Sequence, residues 1–296
     1  MRHLFIINKH AGKNDRYKTV LEQISGLNVD VAYTERQGHA TELAREYVKQ
    51  SDEFAVVFAC GGDGTVNEVI RGVYDLDNCS VAPVPIGSGN DFIRSFDKAD
   101  EDFLNIKKLM DGEDVAVDLL KCNDRISDNS ISVGFDCMVA NNVDKFKKRK
   151  LISSSFAYKL SIFYCLFMGR RHSFSIIADG KKLEQKSTYL LSICAKGKYY
   201  GGGIKCAPLA DNTDEKIDFL SVPTVGVLRF ISLLPTFIKG GHINNPKLDF
   251  IYHDKFSEVE YISNAPFDIG FDGEIFSVTS AKISVLPKAV KIRIPK

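Results

Sequence analysis

Along the first 120 residues, short apolar runs alternate with segments of helical spacing. The runs at 4–8, 29–34, 54–59, 81–86 and 115–120 predict strands. The run at 54–59 is continuously apolar, as in a strand covered on both faces. Between the runs, 15–24, 39–50, 65–74, 90–96 and 103–110 predict helices, and in 39–50 the residues Leu43, Tyr47 and Val48 fall near one face. This β-α-β-α rhythm predicts a parallel, helix-covered sheet.

Beyond Lys121 the pattern leans towards β structure. Strands are predicted at 130–134, 174–178, 188–195, 217–222, 247–251, 258–263, 267–271 and 282–286. Helices are predicted at 156–168 and 225–239. With a boundary near 121–129, the chain divides into an α/β unit over 1–122 and a mainly antiparallel β-sandwich unit over 123–296. The last strand, about 288–296, is expected to pack back on the first unit. No internal repeat or low-complexity tract interrupts this division.

Composition narrows the classes. The 296 residues carry 39 Lys and Arg against 38 Asp and Glu, a net charge of +1, which argues against wrapping a long nucleic acid. The hydrophobic share of 44% and charged share of 26% are those of a globular protein. Seven scattered cysteines without a CxxC read as reduced thiols of a cytoplasmic protein. Their spacing, and the lack of HExxH, speak against zinc. The apolar run after Met1-Arg2-His3 is too short for a signal peptide. The stretches 151–168 and 222–238 are interrupted by Lys159 and serines, and by Arg229 and prolines, so neither predicts a membrane span.

Chemistry concentrates in two glycine loops. Cys60-Gly61-Gly62-Asp63-Gly64-Thr65-Val66-Asn67-Glu68 follows an apolar strand and opens a helix. Glycines let backbone approach a phosphate, and the helix N-terminus offers free N–H groups to an anion. The Gly-Lys-Ser/Thr ending of a Walker A loop is absent. The plainer alternative is a tight turn. Val84-Pro85-Ile86-Gly87-Ser88-Gly89-Asn90-Asp91-Phe92 has the same placement but lacks the third glycine of the dinucleotide fingerprint. Both loops fall at the carboxyl ends of adjacent strands, where open α/β sheets bind ligands.

These segments resemble the diacylglycerol kinase catalytic-domain family, with its sphingosine, ceramide and bacterial lipid kinases. The resemblance rests on Gly61-Gly62-Asp63-Gly64-Thr65 with Asn67-Glu68, and on Gly87-Ser88-Gly89-Asn90-Asp91-Phe92 with Arg94. It continues through Tyr200-Gly201-Gly202-Gly203 with Pro208 and Ala210, and ends at Asp272-Gly273-Glu274. The order is the family's and the span is most of the chain. The first motif alone is shared with NAD kinases and resembles phosphofructokinases; the later ones point to the lipid-kinase branch. The fold implied is the NAD kinase/diacylglycerol kinase-like α/β domain followed by the β-sandwich.

The resemblance implies ATP as substrate, Mg2+, and a set of roles. Asn8, Lys9, His10, Ala11 and Gly12 match a nucleotide loop, with Lys9 where the family has proline. Thr34 matches a nucleotide contact, or only ends a strand. Gly62, Asp63, Gly64, Thr65, Val66, Asn67 and Glu68 would cradle phosphate and ribose with Ser88, which otherwise caps a turn. Asp63 and Asp91 are candidates to position magnesium; Asp118 either joins them or is structural. A general base must be a carboxylate within reach of the acceptor hydroxyl. Of the two Asp-Gly-Glu triplets, the one at 111–113 reads as a turn, so Glu274 is the expected base.

In similar bacterial lipid kinases the segment at 211–218 holds a structural magnesium. By that match Asp214 supplies a carboxylate, and Asp211 and Lys216 supply carbonyl or nearby oxygens; Glu215 stands where the family has glycine. The alternative is a solvated acidic turn. The expected partner is a membrane lipid, with peripheral contact at the inner face through the basic cluster at 145–150; homodimer formation is compatible with this reading. The expected activity is transfer of the γ-phosphate to a lipid hydroxyl, of diacylglycerol type. The alternatives are NAD kinase-like action on a soluble acceptor and a non-catalytic nucleotide-binding regulator.

Overall fold

A computed structural model describes residues 1–12, 15–147, 161, 164–165, 172–183 and 188–296, without the side chains of 140 and 143–147. The strand–helix alternation opens the chain: β1 (Arg2–Ile7), α1 (Tyr17–Ile24), β2 (Asp30–Tyr33), α2 (His39–Lys49), β3 (Ala55–Gly61), α3 (Asp63–Val73) and β4 (Cys79–Pro85). A 3-10 turn at Ile93–Ser95, α4 (Asp100–Phe103) and α5 (Ile106–Met110) lead to β5 (Glu113–Cys122), β6 (Arg125–Ser127) and β7 (Ser130–Gly134). Then follow α6 (Phe135–Lys147), β8 (Ser175–Ala178), β9 (Lys181–Lys182), β10 (Tyr189–Ala195) and β11 (Ile217–Pro223). The chain closes with α7 (Val227–Ile238), β12 (Tyr252–Phe256), β13 (Glu258–Phe271) and β14 (Glu274–Ile294).

The parallel block runs β2-β1-β3-β4. All seven residues of β3 and of β4 are buried, as the continuous apolar run at 54–59 requires. Helices cover this block with residues three and four apart: Ala40, Ala44 and Val48 of α2, and Val66, Val69, Ile70 and Val73 of α3. Phe5 and Phe58 stack in its centre with ring centroids 4.1 Å apart. Each such buried side chain contributes about 1.5–3 kcal/mol. The antiparallel block runs β12-β11-β10-β7-β13-β14. Its core centres on Tyr261, wholly buried, whose hydroxyl pairs with Ser192 Oγ at 2.8 Å.

β14 joins the blocks. Its first half pairs with β13, and its end lies parallel to β4, with Ile292 opposite Val81. β5 therefore does not continue the parallel series; it runs antiparallel along β14. That place beside β4 is taken by a strand from the far end of the chain.

Several elements differ from expectation. The helix expected at 90–96 shrinks to one 3-10 turn, because Asn90 sits at φ 56° and breaks the helical path. The helix at 103–110 divides, because Asn105 caps α5 by accepting from the Lys108 N–H. At 247–251 there is no strand; Asn245 and Pro246 start a 3-10 turn, and the strand begins at Tyr252. The segments 258–263 and 267–271 are one strand with an irregularity between Ile262 and Phe267. The helix expected at 156–168 lies almost wholly outside the described residues, as do 148–150 and the side chains of 145–147 in the basic cluster. Among the described residues, no helix is long and apolar enough to cross a membrane.

Candidate active site

Loops leaving the carboxyl ends of β1, β3 and β4 meet the triple-glycine segment and the β13–β14 turn around a cleft of about 1080 Å³. The two glycine loops touch backbone to backbone: a Cβ on Gly87 would lie 2.3 Å from the Gly62 Cα. The Gly87 N–H donates to the Gly61 carbonyl at 3.0 Å. This contact brings Ser88 and the start of α3 to the same wall, with the N-terminal amides of α3 available to an anion.

Most of the expected nucleotide residues line this cleft: Asn8, His10, Ala11, Gly12, Thr34, Gly62, Asp63, Gly64, Thr65, Asn67, Glu68 and Ser88. Asn8 Nδ2 donates to Thr65 Oγ1 at 3.2 Å, tying the first loop to α3. The Glu68 carboxylate accepts from the Gly38 and Ala40 N–H groups at 2.8 and 3.1 Å, so it also secures the start of α2. Two expected residues are not among the lining set. Lys9 places its ammonium over the Tyr33 ring, 3.7 Å from the centroid. Val66 is packed in the core at 4% exposure.

The two aspartates expected near magnesium differ in placement. Asp63 lines the cleft, and its Oδ1 accepts from the Phe92 N–H at 3.1 Å. Asp91 lies beneath the lining. Its Oδ1 accepts from Arg94 at 2.8 Å and its Oδ2 from the Gly202 N–H at 2.6 Å. Burial pushes its carboxyl up, against those donors. Asp91 thus anchors the segment Gly201–Gly203, whose φ values of 62°, 84° and 113° favour glycine at three successive positions. Of the two, Asp63 lines the cleft and is the one whose Oδ2 would hold a magnesium ion; Asp91 does not reach the lining.

Glu274 also lines the cleft. It opens β14 after a two-residue turn, Asp272 and Gly273, both at positive φ, which is the turn that Asp-Gly favours between antiparallel strands. Gln37 Nε2 donates to its Oε1 at 2.6 Å, and Arg71 Nη1 to its Oε2 at 3.2 Å. Behind the turn, Asn67 Nδ2 bridges Asp128 Oδ1 at 2.6 Å and Asp272 Oδ2 at 2.8 Å. Burial raises the carboxyls of both aspartates, Asp128 well above the usual range and further by the charge of Asp272. The other triplet ends α5, where a Cβ on Gly112 would meet the Ile294 carbonyl oxygen; its Glu113 only starts β5.

The set Asp211, Asp214 and Lys216 is not part of this cleft lining. Among the described residues, no group of three or more His, Cys, Asp or Glu is placed to hold a metal. Both Asp214 oxygens accept from lysine ammoniums, those of Lys196 and Lys255. Burial raises its carboxyl, but these hydrogen bonds outweigh burial and hold it below the usual range. Asp118 is fully buried and structural: it accepts from the Glu215 N–H at 2.7 Å and the Lys288 N–H at 2.9 Å.

Sequence reasoning passed over Gln37, Arg71, Asp128 and Lys196. Gln37 lies three residues after Thr34 and Arg71 three residues after Glu68 on α3, so both carried a faint signal. Asp128 and Lys196 carried none, since only tertiary contacts give them partners.

Comparison with known proteins follows the same division. Residues 2–122 match the model of the diacylglycerol kinase catalytic domain, and 129–294 that of the YegS C-terminal NAD kinase beta sandwich-like domain. The chain is 26% identical to the "Putative lipid kinase YtlR" of Bacillus subtilis (strain 168) over 98% of each chain. It is 25% identical to a diacylglycerol kinase of the same organism, covering 100% of this chain and 97% of that one. The crystal structure of a diacylglycerol kinase from Bacillus anthracis str. Sterne superposes with a TM-score of 0.72 at 20% identity, over 98% of this chain and 96% of that one. The glycine-loop cleft, the turn that presents Glu274 and the two consecutive matches agree: the chain belongs to the diacylglycerol kinase catalytic-domain family and carries its β-sandwich-like C-terminal domain.

Proposed function

We propose that the protein is an ATP-dependent lipid kinase that transfers the γ-phosphate to a hydroxyl of a diacylglycerol-type lipid. One observation carries the lipid half of this reading. Gly201 and Gly202 line the polar cleft, while Tyr200 and Ile204 of the same segment line an apolar cavity with Phe135, Leu190, Phe230 and Phe237. One short stretch of backbone thus divides a phosphate-binding cleft from an oily chamber. A lipid alcohol needs both sides; a soluble acceptor such as NAD needs only the first.

The residues then act in order. The amides at the start of α3 and of the Gly87–Gly89 loop bind the phosphates. Asn8 and Thr65 fix the loop against which the nucleotide lies. Glu274 accepts the proton of the lipid hydroxyl as it attacks the γ-phosphorus, with Gln37 and Arg71 holding its carboxylate. Each carboxylate oxygen keeps a further lone pair for that proton. A magnesium ion at Asp63, when bound, neutralises charge on the phosphates. The exposed apolar residues Leu228 and Ile231 of α7 support docking on a membrane surface.

Labelled ATP offered with micelles of diacylglycerol, sphingoid base or ceramide, and separately with NAD, tests the reading. Phosphate is expected on a lipid and not on NAD. Glu274→Ala should lower turnover by about 10²–10⁴-fold while keeping a cooperative melt. Transfer to NAD alone, or near-normal turnover in Glu274→Ala, overturns the reading.

A further inference from the structure

The turn around Asp214 is where the family resemblance implies a structural magnesium. The side chains present do not fit that ion, because a cation of the chain's own already sits among the oxygens. Lys196 follows the buried strand β10 and is itself wholly buried. Its ammonium lies 2.8 Å from Asp214 Oδ1, 2.7 Å from the Lys216 carbonyl oxygen and 3.0 Å from Asp118 Oδ2. Two of these oxygens accept its hydrogen bonds and the Asp118 carboxylate adds an ion-pair contact, so the charge is compensated from within the chain. Two of the three oxygens belong to residues expected to ligate the metal.

The second carboxylate oxygen of Asp214 is engaged too, and the Asp211 side chain turns back from the site. Asp214 Oδ2 accepts from Lys255. Asp211 Oδ1 turns back on its own loop, accepting from the Thr213 N–H at 2.8 Å and Thr213 Oγ1 at 2.7 Å. A magnesium ion requires near-octahedral oxygens at about 2.0–2.1 Å. It cannot share the Asp214 carboxylate and Lys216 carbonyl with an ammonium already within 3 Å of both, since the two cations repel.

We propose that Lys196 is a built-in cation that replaces the divalent metal at this site. Its work is to join the halves of the chain. Asp118 belongs to β5, and the Lys288 N–H that it accepts from belongs to β14; Asp214 and Lys216 precede β11. One ammonium thus gathers carboxylates from two sequence-distant segments. The arrangement is independent of the proposed activity, because none of these groups lines the cleft.

Thermal melting of the full chain without nucleotide, in EDTA and then in millimolar magnesium, tests the proposal. The natural chain should melt within about 1 °C in both, as expected where no metal binds the folded state selectively. Lys196→Ala leaves the fully buried Asp118 carboxylate without its cation and removes one of the two lysines on Asp214, so its melting temperature in EDTA should fall by about 5–10 °C. Magnesium should restore part of that loss, and should not do so once Asp214→Asn is added. A saturable rise of several degrees in the natural chain that Asp214→Asn abolishes would overturn the proposal. So would a Lys196→Ala chain that melts in EDTA at the natural temperature. Should Lys196→Ala not fold, the magnesium response of the natural chain decides alone.

Discussion

Glu274 is held from two sides, by Gln37 across the cleft and by Arg71 on α3. Arg71 is charged and partly packed, so replacing it disturbs more than position. Gln37 is neutral and exposed, which makes it the cleaner probe. Gln37→Ala should lower kcat about tenfold to a hundredfold by loosening the base, with the melting temperature and the KM for ATP unchanged. A rise in KM at constant kcat would place Gln37 in nucleotide binding instead. At this scale the sequence was informative where local context decides. Glu274 stands after a strand and an Asp-Gly turn, and Asp63 stands at the start of a helix. Asp91 was equally visible, but its use was not: the Gly202 N–H that it accepts from is 111 residues away. Lys196 follows an apolar strand and looks like an ordinary strand end, until Asp118 and Asp214 close on it. Glu215 adopts φ 60°, the left-handed turn for which the family uses glycine, so the backbone shape survives the changed residue.

Among the elements, the β13–β14 hairpin and α3 meet through Asn67, Asp128 and Asp272. Two buried carboxylates this close resist ionising together, so the pair retains a proton above the usual carboxylate range. The sign follows. With folded-state values raised, the folded chain binds more protons than the unfolded one as pH rises past the ordinary carboxylate range. Stability should then fall by up to about 1.4 kcal/mol per pH unit for each such proton, until the pair ionises. Asp128→Asn imitates the protonated partner, so it should raise the melting temperature more at pH 8 than at pH 5. An equal effect at both pH values would mean that the pair does not titrate with folding. Buried elements were the legible ones: β3, β7, β10 and β11 follow apolar runs within a residue or two. α6 was missed because Asp136, Asn141 and Asn142 break its apolar spacing, and the strand at 247–251 was displaced by the Asn245-Pro246 start of a turn.

For the molecule as a whole, the polar cleft and the apolar cavity lie on either side of the triple-glycine segment, with α7 flanking the cavity. Leu228 is 85% exposed and Ile231 50% exposed, so neither contributes much to the core. Exchanging both for Glu should leave the melting temperature unchanged. It should lower phosphorylation of lipid in vesicles about tenfold or more, the consequence of removing two large apolar side chains from an interface. Activity on a lipid dispersed in detergent should change little. Equal losses in both assays would mean that α7 serves the cavity and not docking. The α/β and antiparallel halves were readable from periodicity alone. Their connection was legible only in part: a last strand at about 288–296 was expected to pack back on the first half, but nothing in the 282–286 run showed that both belong to one strand of 21 residues.

That strand has a consequence for how the molecule is made. Val290–Ile294 of β14 pair with Glu113–Val117 of β5, and Ile292 lies beside β4. During synthesis, residues 1–122 leave the ribosome long before the strand that fills the gap between β4 and β5. The parallel block therefore keeps an open strand edge beside β4 until β14 has been made. A chain made only as far as β13 is expected to leave that edge unpaired and, on the proposed mechanism, to lack the base Glu274.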